Sequence, residues 1–366
     1  MLNINVTKKI IAVALPALII VIAMIVLFVS KRNKQRDNKS YSTHSSKSDK
    51  PITRNYPVMG TWADITLYGD SDAVDEAMTE IYNSFEKINT VCSRFDKNSE
   101  LSRLNREAAD HPFICSDILW DILQKSKFFY ELSSETFDVT VTPLMKLWGF
   151  YRKQNRIPSD KEIKKVLEIV GFDKIIFNEK DHSVSFKVEG VDIDLGGIAK
   201  GYAVDYAFIN IKNPAIKSGL INLGGNIRCL PNPPPDKKYY NIAVRNPFNK
   251  NTLLNGSLHL LNKSLATSGD YEQFIMLDGK KFSHIINPKT GYPVNFMNSV
   301  TIVTKSALWC DALSTSIFLN GAKFAENIHK QYPNVDILLI ESMVDKDSKI
   351  KVIKFGNIWK EVSISN

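Results

Sequence analysis

Cysteine is scarce in this sequence, and no two cysteines form a motif. The 366 residues include four cysteines, which lie far apart and form no Cys-x-x-C pair. A zinc site or a dithiol redox motif is therefore not indicated. The favoured interpretation is that all four are buried thiols, and a disulfide between two of them stays open at this stage. The four residues are Cys92, Cys115, Cys229 and Cys310.

The body of the chain also lacks net charge. The whole chain has a formal net charge of +8 at pH 7. Residues 1–54 account for this charge with ten basic and two acidic side chains, and the remaining 312 residues carry 37 of each sign. Without an extended positive field, the body has no electrostatic feature of a nucleic-acid-binding protein. We therefore expect no nucleic-acid partner.

Residues 10–30 form a long apolar run that contains no charged side chain. A helix rises about 1.5 Å per residue, so this run is long enough to cross the roughly 30 Å apolar core of a bilayer. The alternative is a cleaved signal peptide, whose apolar region is usually about 7–15 residues long and ends in small residues. Here Lys31 and Arg32 follow directly, and no cysteine precedes Cys92 to carry a lipid anchor. We predict an N-terminal tail at residues 1–9 and a single-pass transmembrane anchor at residues 10–30.

The segment after this run is predicted to be a flexible basic linker. Residues 31–54 consist mostly of Lys, Ser, Asn and Asp with almost no large apolar side chain, which is typical of a tether. Five basic residues directly follow the run and two precede it, a distribution that by itself favours a cytoplasmic body.

Helical and strand patterns both occur in residues 55–366, which we predict to be one domain. Apolar residues recur at helical spacing from Val74 to Ile88, after a helix start at Asp70 or Ser71, and again after Ser116. A hairpin is also predicted, which pairs Ile175 to Phe177 with Val184 to Val188. Two further strands are predicted later in the chain, at Val335 to Ile340 and at Lys351 to Phe355. This combination predicts an α+β fold, a single mixed α/β domain behind the N-terminal helix.

Two consecutive glycines, Gly196 and Gly197, lie between a predicted strand that starts at Val191 and a predicted helix. Glycines allow a ligand to approach the backbone, a helix N-terminus favours phosphate, and Lys200 adds a full positive charge. A dinucleotide is therefore a candidate ligand. The segment matches neither G-x-G-x-x-G nor the P-loop, so a purely steric turn is the alternative. For the similar Asn-Leu-Gly-Gly sequence that ends at Gly225, a tight turn is the favoured interpretation.

A predicted helix near Ala307 carries Asp311 and Thr315 four residues apart, which places a carboxylate and a hydroxyl on one face. Hard oxygen ligands of this kind suit Mg²⁺, which completes its shell with phosphates and water. The alternative is that both side chains are structural. His284 lies beside a loop at the edge of a predicted short strand, a position that suits a general base near pH 7, although a structural histidine is the common alternative.

A last group of fragments contains side chains that could enclose a flat ring system. Met59, Phe95 and Phe137 supply a thioether and two aromatic rings, and Asp138 could accept hydrogen bonds from a ring. Each fragment taken alone is more typical of a protein core.

The order of these fragments resembles the ApbE family of FAD:protein FMN transferases, from about Tyr56 to Gly321. The motifs that carry the resemblance are Met-Gly-Thr, Ser-Arg-Phe-Asp with Ser-x-Leu-Ser-x-Leu-Asn, Phe-Asp-x-Thr-Val, Asp-Leu-Gly-Gly-Ile-Ala-Lys-Gly, Asn-Leu-Gly-Gly, Ala-Thr-Ser-Gly-Asp-Tyr, His-Ile-Ile-x-Pro-x-Thr-Gly and Asp-Ala-Leu-x-Thr. The resemblance implies an enzyme that cleaves FAD with Mg²⁺, releases AMP and attaches FMN through a phosphoester to a Thr or Ser of a target flavoprotein.

The resemblance also implies roles for individual residues. Mg²⁺ would be held by the carbonyl of Gly197 and by Asp311 and Thr315, and His284 would take the proton from the acceptor hydroxyl. Cys310 stands where family members often have Ala, so we expect some sensitivity of the site to oxidation. The residues implied around FAD are Met59, Phe95, Thr136, Phe137, Asp138, Asp194, Lys200 and Ile285.

Partners and location follow from the same resemblance. It points to acceptors in Rnf-type or Nqr-type electron pumps or in extracytoplasmic reductases. It also favours a catalytic domain outside the cytoplasmic membrane, against the basic flank after the apolar run. Two alternatives stay open: an Mg²⁺-dependent FAD pyrophosphatase that uses water as acceptor, and a non-catalytic membrane-tethered FAD-binding protein.

Overall fold

An antiparallel sheet of eight strands forms the centre of the fold in this computed structural model. The structure describes residues 50–151, 156–249, 251–341 and 350–363. All of them fall in one compact unit, Lys47–Asn366. The strands are β1 (Ile52–Val58), β2 (Thr61–Tyr68), β3 (Phe113–Ile114), β4 (Ile175–Asn178), β5 (Ser183–Phe186), β6 (Ser218–Leu223), β7 (Asn226–Cys229), β8 (Tyr240–Ile242), β9 (Leu258–Leu260), β10 (Ser264–Gly269), β11 (Phe274–Leu277), β12 (Lys280–Ser283), β13 (Met297–Thr304), β14 (Asp336–Glu341) and β15 (Lys351–Phe355).

The central sheet has the order β1-β2-β6-β7-β10-β13-β14-β15, and three small sheets lie outside it: β3-β5-β4, β8-β9 and β11-β12. Helices cover the main sheet on one face. They are α1 (Ser71–Cys92), α2 (Glu100–Glu107), α3 (Asp117–Leu132), α4 (Thr142–Trp148), α5 (Asp160–Leu167), α6 (Ala199–Ile209), α7 (Ala307–Asn320) and α8 (Ala322–Gln331).

Both faces of the sheet are covered, which explains why nearly every residue of β13 and β14 is buried, including the polar Ser299 and Thr301. On one face α7 packs against β10 and β13, and α6 packs between α7 and α1. On the other face Tyr240, Leu258 and Trp359 cover Val303 and Leu338. With apolar contacts on both sides, side-chain alternation is lost along these central strands.

Most predicted elements are confirmed. The helix from Ser71 begins after Asp70, and the helix after Ser116 is capped by that serine, whose Oγ accepts a hydrogen bond from the Leu119 backbone N–H. The predicted hairpin is β4-β5, with Ile175 opposite Phe186. The two C-terminal strands are β14 and β15, and the mixed α+β character of the fold is confirmed.

Two strand predictions are wrong. Residues 191–195 are extended but belong to no sheet, so the glycines at Gly196 and Gly197 do not follow a strand. His284 follows strand β12, which ends at Ser283, instead of starting a strand with Ile285. At residues 191–195, hydrogen bonds to the Asn105 side chain and the Val139 carbonyl replace the ladder of a strand.

The predicted tail and transmembrane anchor, residues 1–9 and 10–30, lie outside the described residues, as does the linker up to residue 49. The predicted end of the linker at residue 54 is wrong, because strand β1 already begins at Ile52 and pairs with β2. Within the described ranges, no helix combines the length and the apolar composition that crossing a bilayer requires.

Close packing between α6 and α7 depends on one glycine. A methyl group at Gly201 would lie 2.4 Å from the Ala307 carbonyl oxygen and 2.7 Å from the Asp311 Cβ. We expect Gly201→Ala to lower the free energy of unfolding by about 1–3 kcal/mol through overpacking. Helix propensity alone predicts the opposite sign, a gain of roughly 0.5–1 kcal/mol. Urea unfolding measures this difference, and a more stable variant would contradict the close contact.

Candidate active site

Helix α7 carries the two predicted side-chain metal ligands on one face, as their spacing predicts. The helix starts after Ser306, whose Oγ accepts a hydrogen bond from the Trp309 backbone N–H. One turn further, the buried Asp311 accepts a hydrogen bond through Oδ2 from the Gly201 backbone N–H at 2.9 Å. Thr315 follows on the same face, with its Oγ1 3.2 Å from the Ser268 Oγ on β10.

The glycine turn before α6 meets this face of α7. An ideal Cβ built on Gly197 would lie 3.6 Å from the Thr315 Oγ1 and 3.3 Å from the Phe137 ring. The Lys200 Nζ is 3.9 Å from the Asp311 Oδ1 and donates a hydrogen bond to the Gly196 carbonyl at 3.0 Å. The structure therefore brings together two segments more than one hundred residues apart in sequence: one supplies a backbone turn and a cation, the other a carboxylate and a hydroxyl.

The donors at this place fit a hard divalent cation. They are the carboxylate of Asp311 and the hydroxyl of Thr315, and the backbone of Gly197 lies beside them. Among the residues that the structure describes, no three His, Cys, Asp or Glu side chains converge on a common point. A site with so few protein charges suits Mg²⁺, which usually takes one or two carboxylates and obtains its other ligands from water and substrate phosphates.

Asp194 lies at the start of the same turn and is already engaged. Its Oδ1 accepts a hydrogen bond from the Gly196 backbone N–H at 2.7 Å, which shapes the turn. Its backbone N–H donates to the Val139 carbonyl at 2.8 Å. Asp194 thus links the glycine turn to the segment that contains Phe137.

His284 is partly buried and held by one carbonyl. Its backbone N–H and its ring Nδ1 both lie within hydrogen-bond distance of the Gln273 carbonyl oxygen, at 3.1 and 2.9 Å. Since a carbonyl only accepts, Nδ1 carries the proton and the lone pair is on Nε2. Burial lowers the pKa of His284 to about 4, and the nearby charge of Lys200 acts in the same direction while that of Asp194 opposes it. The imidazole is therefore neutral at pH 7.

The segment from Thr136 to Asp138 is buried beside this centre. Phe137 lies next to Gly197 and contacts the Phe129 ring edge to face, with 6.0 Å between the ring centres. Thr136 donates to the Ser133 carbonyl at 3.0 Å through its hydroxyl.

Asp138 was expected to accept hydrogen bonds from a ligand ring, but the structure shows it bonded within the chain. Its Oδ1 accepts hydrogen bonds from the backbone N–H and the hydroxyl of Thr140, at 2.8 and 2.7 Å, and its Oδ2 accepts from the Phe172 backbone N–H at 3.0 Å. Burial raises the pKa of this carboxyl. Both oxygens are thus bonded within the chain, and Asp138 shapes the turn that holds Phe137.

The three remaining residues predicted around FAD lie in different settings. Ile285 follows His284 and has its side chain in the main apolar core. Met59 has a left-handed backbone, with φ of 52°, in the two-residue turn between β1 and β2. Phe95 is 80% exposed, an unusual degree for an aromatic ring.

The second glycine pair is a tight turn, in agreement with the favoured interpretation. Gly224 and Gly225 connect β6 to β7 with φ of 55° and 91°, which few other residues adopt. The Gly224 backbone N–H donates to the Trp62 carbonyl at 3.0 Å, so this turn lies beside the start of β2, next to the Met59 turn.

The four cysteines are free and buried, which confirms the thiol interpretation. Cys310 has no exposed surface, and burial raises the pKa of its thiol. Oxidation requires an accessible thiolate. The expected oxidation sensitivity beside Asp311 is therefore not supported.

Sequence reasoning missed two residues that position the site. Asp205 on α6 accepts hydrogen bonds from the backbone N–H groups of Ala307 and Leu308, at 2.8 and 3.0 Å, and from the Ser306 hydroxyl at 2.6 Å. It thereby fixes the N-terminus of α7. The side chain of Asn105 accepts from the Ile193 backbone N–H and donates to the Ile193 carbonyl, each at 2.9 Å. Asn105 ends the quoted Ser-x-Leu-Ser-x-Leu-Asn motif and Asp205 lies four residues after Gly201, but the sequence does not show the partners of either residue.

Asn105 takes the place of a neighbouring strand for residues 191–195. We expect Asn105→Ala to lower the free energy of unfolding by about 2 kcal/mol, because two backbone groups of Ile193 lose their partners. Urea unfolding gives the change in stability. Asn98→Ala, which removes an exposed side chain of the same type, should leave stability within about 0.5 kcal/mol of the parent. Equal effects of the two substitutions would contradict the role of Asn105.

Comparison with known proteins identifies one family. The model of the ApbE family matches residues 59–339. A FAD:protein FMN transferase of Vibrio cholerae is 31% identical over 270 residues, which is 72% of this chain and 80% of that protein. One of Klebsiella pneumoniae is 28% identical over 284 residues, 77% of this chain and 87% of that protein.

Solved structures give the same result at the level of the fold. The flavin transferase ApbE from Vibrio cholerae superimposes with a TM-score of 0.74 at 28% identity and covers 86% of this chain and 99% of its own. The ApbE protein from Thermotoga maritima gives a TM-score of 0.73 at 28% identity, with 82% and 96% covered. With the family model matching most of its length, this chain belongs to the ApbE family.

Proposed function

We propose that this chain is an Mg²⁺-dependent FAD:protein FMN transferase. It cleaves the pyrophosphate of FAD, releases AMP and joins FMN through a phosphoester to a Thr or Ser hydroxyl of an acceptor flavoprotein. The observation that carries the proposal is the convergence of Asp311, Thr315 and the Gly197 turn beside Lys200. This arrangement suits a diphosphate, and proteins 28–31% identical to the chain are named for this activity.

The reaction exchanges one phosphorus–oxygen bond for another. The acceptor oxygen forms a bond to the FMN phosphorus, and the bond from that phosphorus to the bridging oxygen of the pyrophosphate breaks, so that AMP leaves with the electron pair. The proton of the acceptor hydroxyl moves to Nε2 of His284, which is neutral and carries its lone pair there. Lys200 supplies positive charge to the phosphates, in a position set by the Gly196 carbonyl.

Asp311, Thr315 and the Gly197 carbonyl would hold Mg²⁺ in this proposal. When bound, the ion neutralises charge on the two phosphates and lowers the barrier to attack. The glycine turn supports the reaction in a second way, because without side chains its backbone is open to close approach by a phosphate, while Gly197 packs beside Phe137 and Thr315. Phe95, Met59, Thr136 and Ile285 are proposed to contact FAD on the grounds of the family resemblance.

For location and partners, we propose that residues 10–30 anchor the chain in the cytoplasmic membrane with the catalytic domain outside. The uncharged run supports the anchor, the family resemblance supports the outward orientation of the domain, and the basic flank after the run opposes that orientation. Suitable acceptors are subunits of Rnf-type or Nqr-type electron pumps or extracytoplasmic reductases. Protease digestion of intact spheroplasts tests the orientation, since an outer domain is cut without lysis.

The function is tested with the purified full-length chain, FAD, Mg²⁺ and an Nqr-type subunit that carries a target Thr. Intact-mass spectrometry should find one FMN on the acceptor and none on its Thr→Ala variant, with one AMP released per adduct. AMP release at equal rates with and without acceptor would instead identify an FAD pyrophosphatase. FAD binding with no AMP release would identify a non-catalytic FAD-binding protein.

A further inference from the structure

Arg94 and Tyr151 form a stacked pair directly beside Asp194. The guanidinium carbon of Arg94 lies 4.3 Å from the centre of the Tyr151 ring, and the Arg94 side chain is only 12% exposed. Its Nη1 donates a hydrogen bond to the Thr142 Oγ1 at 2.8 Å. The Tyr151 hydroxyl donates to the Asp194 Oδ2 at 2.5 Å. A buried cation thus fixes an aromatic ring, and that ring fixes the carboxylate.

The same arginine balances two acidic side chains. Arg94 nitrogens lie 3.4 Å from the Asp192 Oδ2 and 3.6 Å from the Asp194 Oδ2, and the Lys146 Nζ lies 2.5 Å from the Asp192 Oδ2. Two carboxylates so near a predicted diphosphate site would repel an anionic ligand if they were not balanced. The two cations offset this repulsion. Each Asp194 oxygen accepts one hydrogen bond within the chain and keeps a second lone pair, and the side chain is 20% exposed, so a ligand can still donate to it.

Phe95 packs against both residues of the Arg94–Tyr151 pair. Its ring meets the Tyr151 ring edge on, with 6.1 Å between the centres, and lies 6.0 Å from the Arg94 guanidinium. Although it is held on this side, Phe95 is 80% exposed. An exposed ring kept in place by a buried neighbour offers a flat apolar surface to a planar ligand at little entropic cost.

We propose that Arg94 and Tyr151 are positioning residues for FAD. They orient the Asp194 carboxylate and the Phe95 ring for the dinucleotide, and they cancel the charge of the Asp192 and Asp194 pair. This inference rests on the proposed function, because it takes FAD as the ligand. Neither residue touches the reacting phosphorus, so the effect falls on FAD affinity and not on the chemical step.

The first test removes the hydroxyl of Tyr151 and keeps its ring. Tyr151→Phe should weaken FAD binding roughly tenfold, the usual effect of losing a hydrogen bond to a charged group, measured by quenching of flavin fluorescence. The rate of AMP release at saturating FAD should change less than about twofold. Tyr206→Phe is the matched control: its hydroxyl accepts a hydrogen bond from Lys87 at 3.0 Å on the exposed side of α6, and FAD affinity should not change.

The second test separates charge balance from simple structural support. Arg94→Gln should weaken FAD binding about tenfold at low salt, and the loss should shrink to about threefold at high salt, where repulsion by the acidic pair is screened. Adding Asp192→Asn to this variant should recover most of the affinity. Arg94→Lys restores the charge without the stacked plane, so it should recover part of it. A purely structural role of Arg94 predicts no salt dependence and no recovery.

The outcomes distinguish this inference from the proposed function. If the parent chain binds FAD and both Tyr151→Phe and Arg94→Gln bind it equally well, the inference is overturned and the transferase proposal stands. A uniform loss in Arg94→Gln at all salt concentrations, with no recovery by Asp192→Asn, also overturns it. If the parent chain does not bind FAD, both fail. The expected pattern of hydroxyl loss, salt dependence and recovery supports the inference.

Discussion

Asp311→Asn is expected to lower the rates of AMP release and FMN transfer by about a thousandfold or more. Asparagine keeps an oxygen that can accept the hydrogen bond from the Gly201 backbone N–H, so the packing of α6 on α7 is preserved. It removes the negative charge of the one carboxylate that is proposed to bind Mg²⁺. AMP is measured by chromatography after incubation with FAD across a range of Mg²⁺ concentrations.

The matched control is Asp205→Asn, the same chemical change at a carboxylate that also contacts α7. Asp205 binds the N-terminus of the helix through Ala307 and Leu308, so its loss should lower stability by about 1–2 kcal/mol and slow AMP release less than tenfold. Equal loss of activity in both variants would mean that the effect of Asp311→Asn is structural. Parent-like activity of Asp311→Asn would remove Asp311 from the proposed metal site.

The helix face that carries Asp311 and Thr315 could be predicted from the local sequence alone. Asp311 and Thr315 are four residues apart in a segment predicted to be helical, and a helix places such residues side by side whatever surrounds it. The cap at Ser116 and the hairpin at Ile175 were predictable for the same reason, because both depend on neighbours along the chain.

The rest of the site depends on partners that no local pattern shows. The segment before Gly196 was predicted as a strand from its apolar alternation, yet its backbone groups bond to the Asn105 side chain and to Val139, far away in sequence. Gly197 reaches Thr315 only because Gly201 allows α6 to approach α7. The inward bonding of the Asp138 carboxylate likewise requires Phe172 to lie beside it.

The pKa of His284 also depends on the fold and could not be predicted from the sequence. From the sequence it was a base suited to pH 7, an expectation taken from the ordinary pKa of histidine. Its fold position adds burial and the charge of Lys200, which lower that pKa to about 4. The sequence predicted a histidine base at this position. It did not predict the pH range in which that base is neutral, because the burial of the imidazole is set by the surrounding loops.

His284→Gln is expected to slow FMN transfer about a hundredfold to ten thousandfold while FAD binding is retained. Glutamine keeps a side-chain N–H that can donate to the Gln273 carbonyl but has no basic nitrogen to accept the acceptor proton. Single-turnover transfer to the acceptor, followed by in-gel flavin fluorescence, measures the loss. His182→Gln is the matched control, because His182 stacks on Trp120 at 4.7 Å outside the predicted site and its loss should leave transfer unchanged.

The pH profile gives this prediction its sharpest test. Because the pKa of His284 is lowered to about 4, the neutral base is present from pH 5 upwards, and transfer should fall only as pH drops through about 4. An acid limb near the ordinary value of 6.5 would contradict the burial of the imidazole. The free energy of unfolding provides a second measurement. Because the folded state disfavours protonation of His284, the parent should lose stability relative to His284→Gln as pH falls from about 6.5 towards 4. Above pH 6.5 the stabilities of the two proteins should depend on pH in nearly the same way.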